Sequence, residues 1–227
     1  MRHPTSPTTT LWDFPSQQYG RAPQGDKRYG GVTPSHVIHG VVQGYSRRGD
    51  RVIDPMCGSG TTLDVCRDLG RRARGFDLQP TRPDIELSDA RHLPLDTASV
   101  DLAFVDPPYS THLKYSGDPR CLGECDASTP AWAEGMEAVV VELARVLRPG
   151  GVIAVYLSDS YRFHERRPFL PLGFQAFGMI ERHLEPLDVI AVVRHHKSLR
   201  DPELLAKASA NRALLRGFNY LLLGRKR

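Results

Sequence analysis

The sequence predicts an α/β fold: a mainly parallel sheet with helices on both faces. Three observations predict it. Short runs rich in Val, Ile and Leu alternate with segments of helical periodicity. A glycine turn, CGSGTT at 57–62, joins the first of these runs to a helix. The chemistry-bearing residues fall at the ends of the runs: the CGSG turn, Asp77, and the stretch DPPY at 106–109. Ligands of open parallel sheets bind beyond the carboxyl ends of the strands, where the strand order reverses.

Residues 1–33, rich in Pro, Thr, Gly and Gln, read as an N-terminal arm or loop. Apolar positions at helical spacing behind a Pro-Ser start predict a helix over 34–47. RVIDPM at 51–56 is a strand, and a helix follows over about 61–69. GFDL at 75–78, IELSDA at 85–90 and VDLAFV at 100–105 are further strands. The polar stretch 109–133 is too long for a simple connection. A helix over 133–151 closes at Pro149, Gly150 and Gly151, and VIAVYLSD is the fifth strand. The basic stretch 161–171 reads as a loop. GFQAFGMIERHL is a helix, DVIAVVRHH a strand, 202–216 a helix and FNYLLLGRK the last strand. The expected organisation is therefore the 1–33 arm and one domain over 34–227, with possible recognition loops at 110–133 and 161–171.

Composition narrows the class. The chain has 227 residues, 40% apolar and 25% charged, as in soluble globular proteins. It lacks the apolar run of roughly 20 residues that spans a bilayer. Its first residues lack an apolar signal region, so a cytoplasmic location is the expectation. Of the four cysteines, Cys121 and Cys125 form a C-x3-C pair without two further ligands, which reads as ordinary thiols, and no metal is expected. The net charge of +4 permits a polyanionic partner without requiring one. Basic clusters occur at Arg71, Arg72 and Arg74, at Arg166 and Arg167, at 194–200 and at 225–227.

In DPMCGSGTT, Gly58 and Gly60 free the backbone for close approach by a ligand. The turn is neither a full dinucleotide fingerprint nor a triphosphate loop. Asp77 lies 19 positions beyond Gly58, at the end of the next strand, where an acid commonly holds ribose hydroxyls. Asp89, followed by Ala90, is placed to meet an adenine edge. The expected ligand carries an adenosine moiety, bound by Asp54, Pro55, Cys57, Gly58, Ser59, Gly60, Thr61, Thr62, Asp77, Asp89 and Ala90.

VIDPMCGSGTT followed by VDLAFVDPPY resembles the S-adenosylmethionine-dependent amino-methyltransferases that act on exocyclic nitrogens of nucleic-acid bases. LWDFP at 11–15, TPSHVIHGVV at 33–42 and RVLRPGGVIAVYL at 145–157 extend the likeness over about residues 11–160. The resemblance implies a Rossmann-like class I methyltransferase fold with a seven-stranded sheet, and S-adenosyl-L-methionine as cofactor. It also implies a nucleic-acid partner, DNA in preference to RNA, with adenine N6 the preferred target and cytosine N4 a second.

The chemistry of the residues agrees. An exocyclic amine shares its lone pair with its ring. Acceptors on both hydrogens free that pair: the Asp106 carboxylate, and a carbonyl, most simply that of Pro107. Pro107 and Pro108 bring no competing N–H, and Tyr109 stacks on the ring. Cys57 sits in the glycine turn, misplaced for the nucleophile that cytosine C5 methylation needs. Candidate nucleic-acid contacts are Lys114, Arg120, Arg166, Arg167, Arg194, His195, His196 and Lys197. Competing readings are an RNA base methyltransferase, acting for instance on guanine N2, and a non-catalytic cofactor-binding regulator.

Overall fold

The computed structural model describes residues 7–227 apart from 15, 21, 27, 28, 110–115, 164 and 167. The described strands are β1 (Leu11–Trp12), β2 (Arg51–Asp54), β3 (Arg72–Asp77), β4 (Ile85–Leu87), β5 (Val100–Val105), β6 (Leu147–Leu157), β7 (Ser160–Tyr161), β8 (Phe169–Leu170), β9 (Glu185–Val193) and β10 (Phe218–Arg225). The helices are α1 (Ser35–Tyr45), α2 (Thr61–Asp68), α3 (Pro130–Val146), α4 (Leu172–His183) and α5 (Pro202–Ala210). Eight strands form one sheet in the order β1-β9-β10-β6-β5-β2-β3-β4. β10 runs antiparallel to both neighbours, and the other pairings are parallel. Without β1 this is a seven-stranded class I methyltransferase sheet. The chain winds outward from β2 through β3 to β4, then returns to β5 on the other side, so the switch point lies between β2 and β5.

Period-2 alternation divides the strands between two cores. Val152, Ala154 and Tyr156 of β6 pack with Val37, Ile38 and Val41 of α1 and with Val65 of α2. Ile153, Val155 and Leu157 face the opposite way, onto Met136, Val140 and Leu143 of α3 and onto Met179 and Ile180 of α4. Both faces of the sheet are dry, which is why these strands read as unbroken apolar runs.

Several boundaries move from their expected places. The helix expected to close at Pro149 stops at Val146, because the residue before a proline is pushed out of helical backbone, and β6 starts at Leu147. It begins at Pro130, so the loop expected over 110–133 ends earlier. The helix expected over 202–216 ends at Ala210, where Arg212 turns into left-handed backbone at φ +49°. The 161–171 stretch is pinned by the two-stranded ribbon of β7 and β8.

The arm is part of the body. Trp12 is buried and β1 pairs with the margin of β9. Tyr19 is buried as well, and its hydroxyl donates to Asp68 Oδ2 at 3.0 Å. No helix among the described residues is long and apolar enough to cross a membrane.

Candidate functional site

A cleft of ≈ 1220 Å³ opens at the carboxyl ends of the parallel strands. It is lined at Asp54 and Asp77, the last residues of β2 and β3, Asp89 and Ala90 after β4, Asp106 after β5 and Tyr156 in β6. Pro55, Cys57, Gly58, Ser59, Thr61 and Thr62 line it too, whereas Gly60 does not.

Gly58 and Gly60 hold φ at +48° and +79°, and the second makes the left-handed entry into α2. The turn between them is tied down by acids. Asp77 Oδ2 accepts from the Gly58 N–H at 2.8 Å, and its Oδ1 accepts from Gln79 N–H at 2.9 Å. A carboxylate has about four lone-pair positions, so Asp77 retains capacity for a further donor. Asp54 is buried beneath the turn and accepts from the Thr62 hydroxyl at 2.5 Å and from Met56 N–H at 3.1 Å. Burial pushes its carboxyl up to about 7, against the pull of those two donors. Burial also pushes the Cys57 thiol up, which leaves it an inert packing residue. Ser59 and Thr61 share a hydroxyl hydrogen bond of 2.8 Å.

Asp89 departs from the simplest expectation. Both its oxygens engage Arg91, with the ion pair at 2.6 Å, and despite burial this pairing holds the carboxyl below its ordinary range. Ala90 is buried at the wall beside it.

Asp106 stands where β5 ends, partly open to the cleft. Thr33 Oγ1 donates to its Oδ2 at 2.5 Å. Burial pushes the Asp106 carboxyl up to about 7; the Thr33 hydroxyl opposes the shift and the charge of Asp54 adds to it. Pro107 is buried, and the Pro108 carbonyl is occupied by Trp132 Nε1 at 2.9 Å. Tyr109 packs against the α3-side core while lining the cleft, and burial raises its phenol.

Sequence reasoning missed the arm's contribution. Gly25 N–H donates to Asp64 Oδ2 at 2.9 Å, and Asp26 N–H donates to Ser59 O at 3.1 Å. The Tyr29 ring lies over Gly58, where an added Cβ would come within 3.0 Å of it. With Thr33, these contacts lay the arm across the glycine turn and up to Asp106. Nothing local in an aperiodic segment signals a partner 73 positions downstream. The Gly58→Ala variant is expected to lose about 1–2 kcal/mol of stability, from a left-handed alanine and a displaced Tyr29. A lowered urea midpoint is the readout.

Three of the basic residues expected to meet nucleic acid, Arg120, His195 and His196, are engaged locally. Arg120 pairs with Asp118 at 2.6 Å. His195 bonds Asp13 at 2.6 Å, and His196 accepts from Ser198 N–H at the start of a short 3-10 turn that contains Lys197. Arg166 is exposed, and Lys114 and Arg167 lie outside the described residues. Arg71 donates to the carbonyls of Leu69 and Ser46, and Arg74 is doubly bonded to Glu86. Of the expected set, Arg194 and Arg120 reach the cleft together with the two histidines.

The fold belongs with class I methyltransferases. A putative sarcosine dimethylglycine methyltransferase from Galdieria sulphuraria superposes with a TM-score of 0.56, at 16% identity, covering 85% of this chain and 84% of that one. Geranyl diphosphate C-methyltransferase from Streptomyces coelicolor A3(2), solved with Mg2+, geranyl diphosphate and S-adenosyl-L-homocysteine, gives 0.53 at 14% identity, covering 85% and 80%. By sequence, residues 2–85 match the family described as DNA methylase, a segment that ends before DPPY. Malonyl-acyl-carrier-protein O-methyltransferase of Serratia marcescens is 28% identical over 120 residues, 48% of this chain and 39% of that protein. The chain thus spans 39% of the length of the curated relatives it matches.

These likenesses correct the expectation of a DNA partner. The relatives and neighbours above are named for malonyl-acyl-carrier protein, geranyl diphosphate and sarcosine, none of them a nucleic acid. The site adds a physical reason: among the described residues, Arg120 and His195 of the expected phosphate-binding set are paired with the neighbouring acids Asp118 and Asp13, which weakens any cationic track they could form.

Proposed function

We propose that this protein transfers the methyl of S-adenosylmethionine to the exocyclic amino nitrogen of a flat, nucleobase-like ring presented as a small molecule. An adenine-N6-type amine is the acceptor that best fits, and a cytosine-N4-type amine suits the same clamp. One observation carries the reading: Asp106 and the glycine turn face a single cleft at the switch point of the sheet. A volume of ≈ 1220 Å³ has room for a nucleoside-sized cofactor and an acceptor side by side.

The residues fit the cofactor. The glycine turn walls the cleft beside it, Asp77 retains lone pairs for a ribose diol, and Asp89 and Ala90 bound the adenine side. S-adenosylmethionine supplies an electrophilic methyl on a sulfonium. Ionised Asp106 accepts one N–H of the acceptor amine. The Pro107 carbonyl accepts the other, since that of Pro108 is held by Trp132. Tyr109 fixes the plane of the ring. Two acceptors draw the amine toward tetrahedral geometry and free its lone pair, and Asp106, with its raised pKa, is suited to take the proton released. Positioning and electrostatics supply the acceleration.

The test is methyl label transfer from radiolabelled cofactor to separate pools of small heteroaromatic amines, malonyl-type carboxylates, duplex DNA and RNA. Label on an amino nitrogen in the first pool is the expected result. A labelled ester on a carboxylate would replace the reading with oxygen transfer. Label only in a nucleic acid would overturn presentation as a small molecule. Cofactor binding without transfer to any pool would leave a regulator.

A further inference from the structure

The part of the cleft beyond Asp106, away from the glycine turn, has features the methyl-transfer chemistry leaves unused. Arg194 follows β9, and Arg216 precedes β10. Their backbones meet directly: the Arg194 N–H donates to the Gly217 carbonyl at 2.9 Å, and Val193 pairs with Phe218. Both side chains line the cleft.

Arg194 makes no ion pair and no side-chain hydrogen bond among the described residues. It is half-buried and lines the cleft together with Tyr109 and Tyr156. Arg216 is held over two rings, 5.4 Å from the centroid of Phe169 and 6.0 Å from that of Tyr161. Its Nη2 donates to Leu214 O at 2.6 Å, but its Nε is buried with no partner. Three residues on, Asn219 Oδ1 is also buried and unmatched. The acid Asp159 lines the same cleft and is oriented by two donors, the Gly173 N–H at 3.0 Å and the Tyr220 hydroxyl at 3.0 Å.

A buried donor without a partner costs about 1–3 kcal/mol, so it calls for one: a water, an ion or a ligand. A free guanidinium lining the same cleft as another that aromatic rings hold in place suits a planar or tetrahedral oxyanion. An unmatched acceptor next to them suits an N–H donor. We propose that the acceptor substrate carries an anionic group, carboxylate or phosphate, held between Arg194 and Arg216, with an N–H of the same molecule on Asn219. This rests on the methyl-transfer reading above and narrows its substrate to an acidic amino-heteroaromatic.

The probes are benzoate for the carboxylate and inorganic phosphate for the phosphate, titrated calorimetrically into the full chain. S-adenosylhomocysteine is titrated separately. At least one anion is expected to bind with saturation. Arg194→Ala and Arg216→Ala should each weaken it by about tenfold or more, as for a lost charge-assisted bond. Arg194→Lys should recover part of the loss, and Arg200→Ala should change nothing. Removing Arg194 takes away no described side-chain partner, so its variant is expected to fold normally. Failure of both anions to saturate, or unchanged binding in both alanine variants, overturns the proposal. Arginine-dependent anion binding in a protein that does not bind S-adenosylhomocysteine would keep the anion site and sink the methyl-transfer reading.

Discussion

Replacing Asp106 by alanine is expected to cut methyl transfer by about a hundredfold or more, the cost of removing a preorganised acceptor of transition-state charge. Binding of S-adenosylmethionine should stay within about a factor of two, because the contacts proposed for it lie over β2, β3 and β4. The two readouts are turnover at saturating cofactor and calorimetric affinity for S-adenosylhomocysteine. A parallel collapse of both would mean that Asp106 supports the cleft rather than the chemistry. Near-normal turnover would remove it from the reaction.

The second large effect is on pH dependence, and it runs in opposite directions for activity and stability. Only ionised Asp106 accepts an amine N–H without itself donating, and burial pushes its pKa up to about 7. Below that value transfer should fall by about tenfold per pH unit, as for any single essential base. For stability the sign reverses. The carboxyl is raised from an ordinary 3.8, so between about pH 4 and 7 the folded state binds more protons than the unfolded one. Its contribution is fully present below the lower value and is lost as pH climbs through the higher. The melting temperature of Asp106→Ala relative to the parent should therefore rise from pH 5 to pH 8. Thr33 provides the internal control. Thr33→Val removes the donor that pulls this pKa down, so the midpoint of the pH–rate curve should move upward, and Thr33→Ser should return it. A merely structural threonine would change the rate without moving the midpoint.

Much of the framework was legible because burial on two faces writes itself into the chain. VIAVYL is apolar throughout and VDLAFV is apolar but for Asp101, and both prove to be central strands. The glycine turn was visible because left-handed backbone demands glycine, and Gly58 and Gly60 adopt it. Element ends were less legible, since they depend on what lies alongside. β3 begins at Arg72 because β2 offers it a partner, although Arg72 and Arg74 are polar and exposed. At the site, the strand-end acids were readable by spacing, but their engagements were not. Asp89 is claimed by Arg91 two positions away, and Asp106 by a threonine in an aperiodic arm. Charge clusters misled most. A run such as Arg194-His195-His196-Lys197 looks uniform in one dimension, yet in space Arg194 has no described side-chain partner, His195 meets Asp13, and His196 caps a turn.

The two-residue pairing of Leu11 and Trp12 with Ala191 and Val192 has a consequence for solution behaviour. An uncovered outer strand offers a row of free amide and carbonyl groups to any strand that drifts past, and that is how sheets recruit copies of themselves. The short N-terminal stretch blunts one such border, and the buried indole of Trp12 anchors it there. A molecule stripped of that stretch would trade a guarded border for a sticky one, and its first symptom would be clumping rather than unfolding.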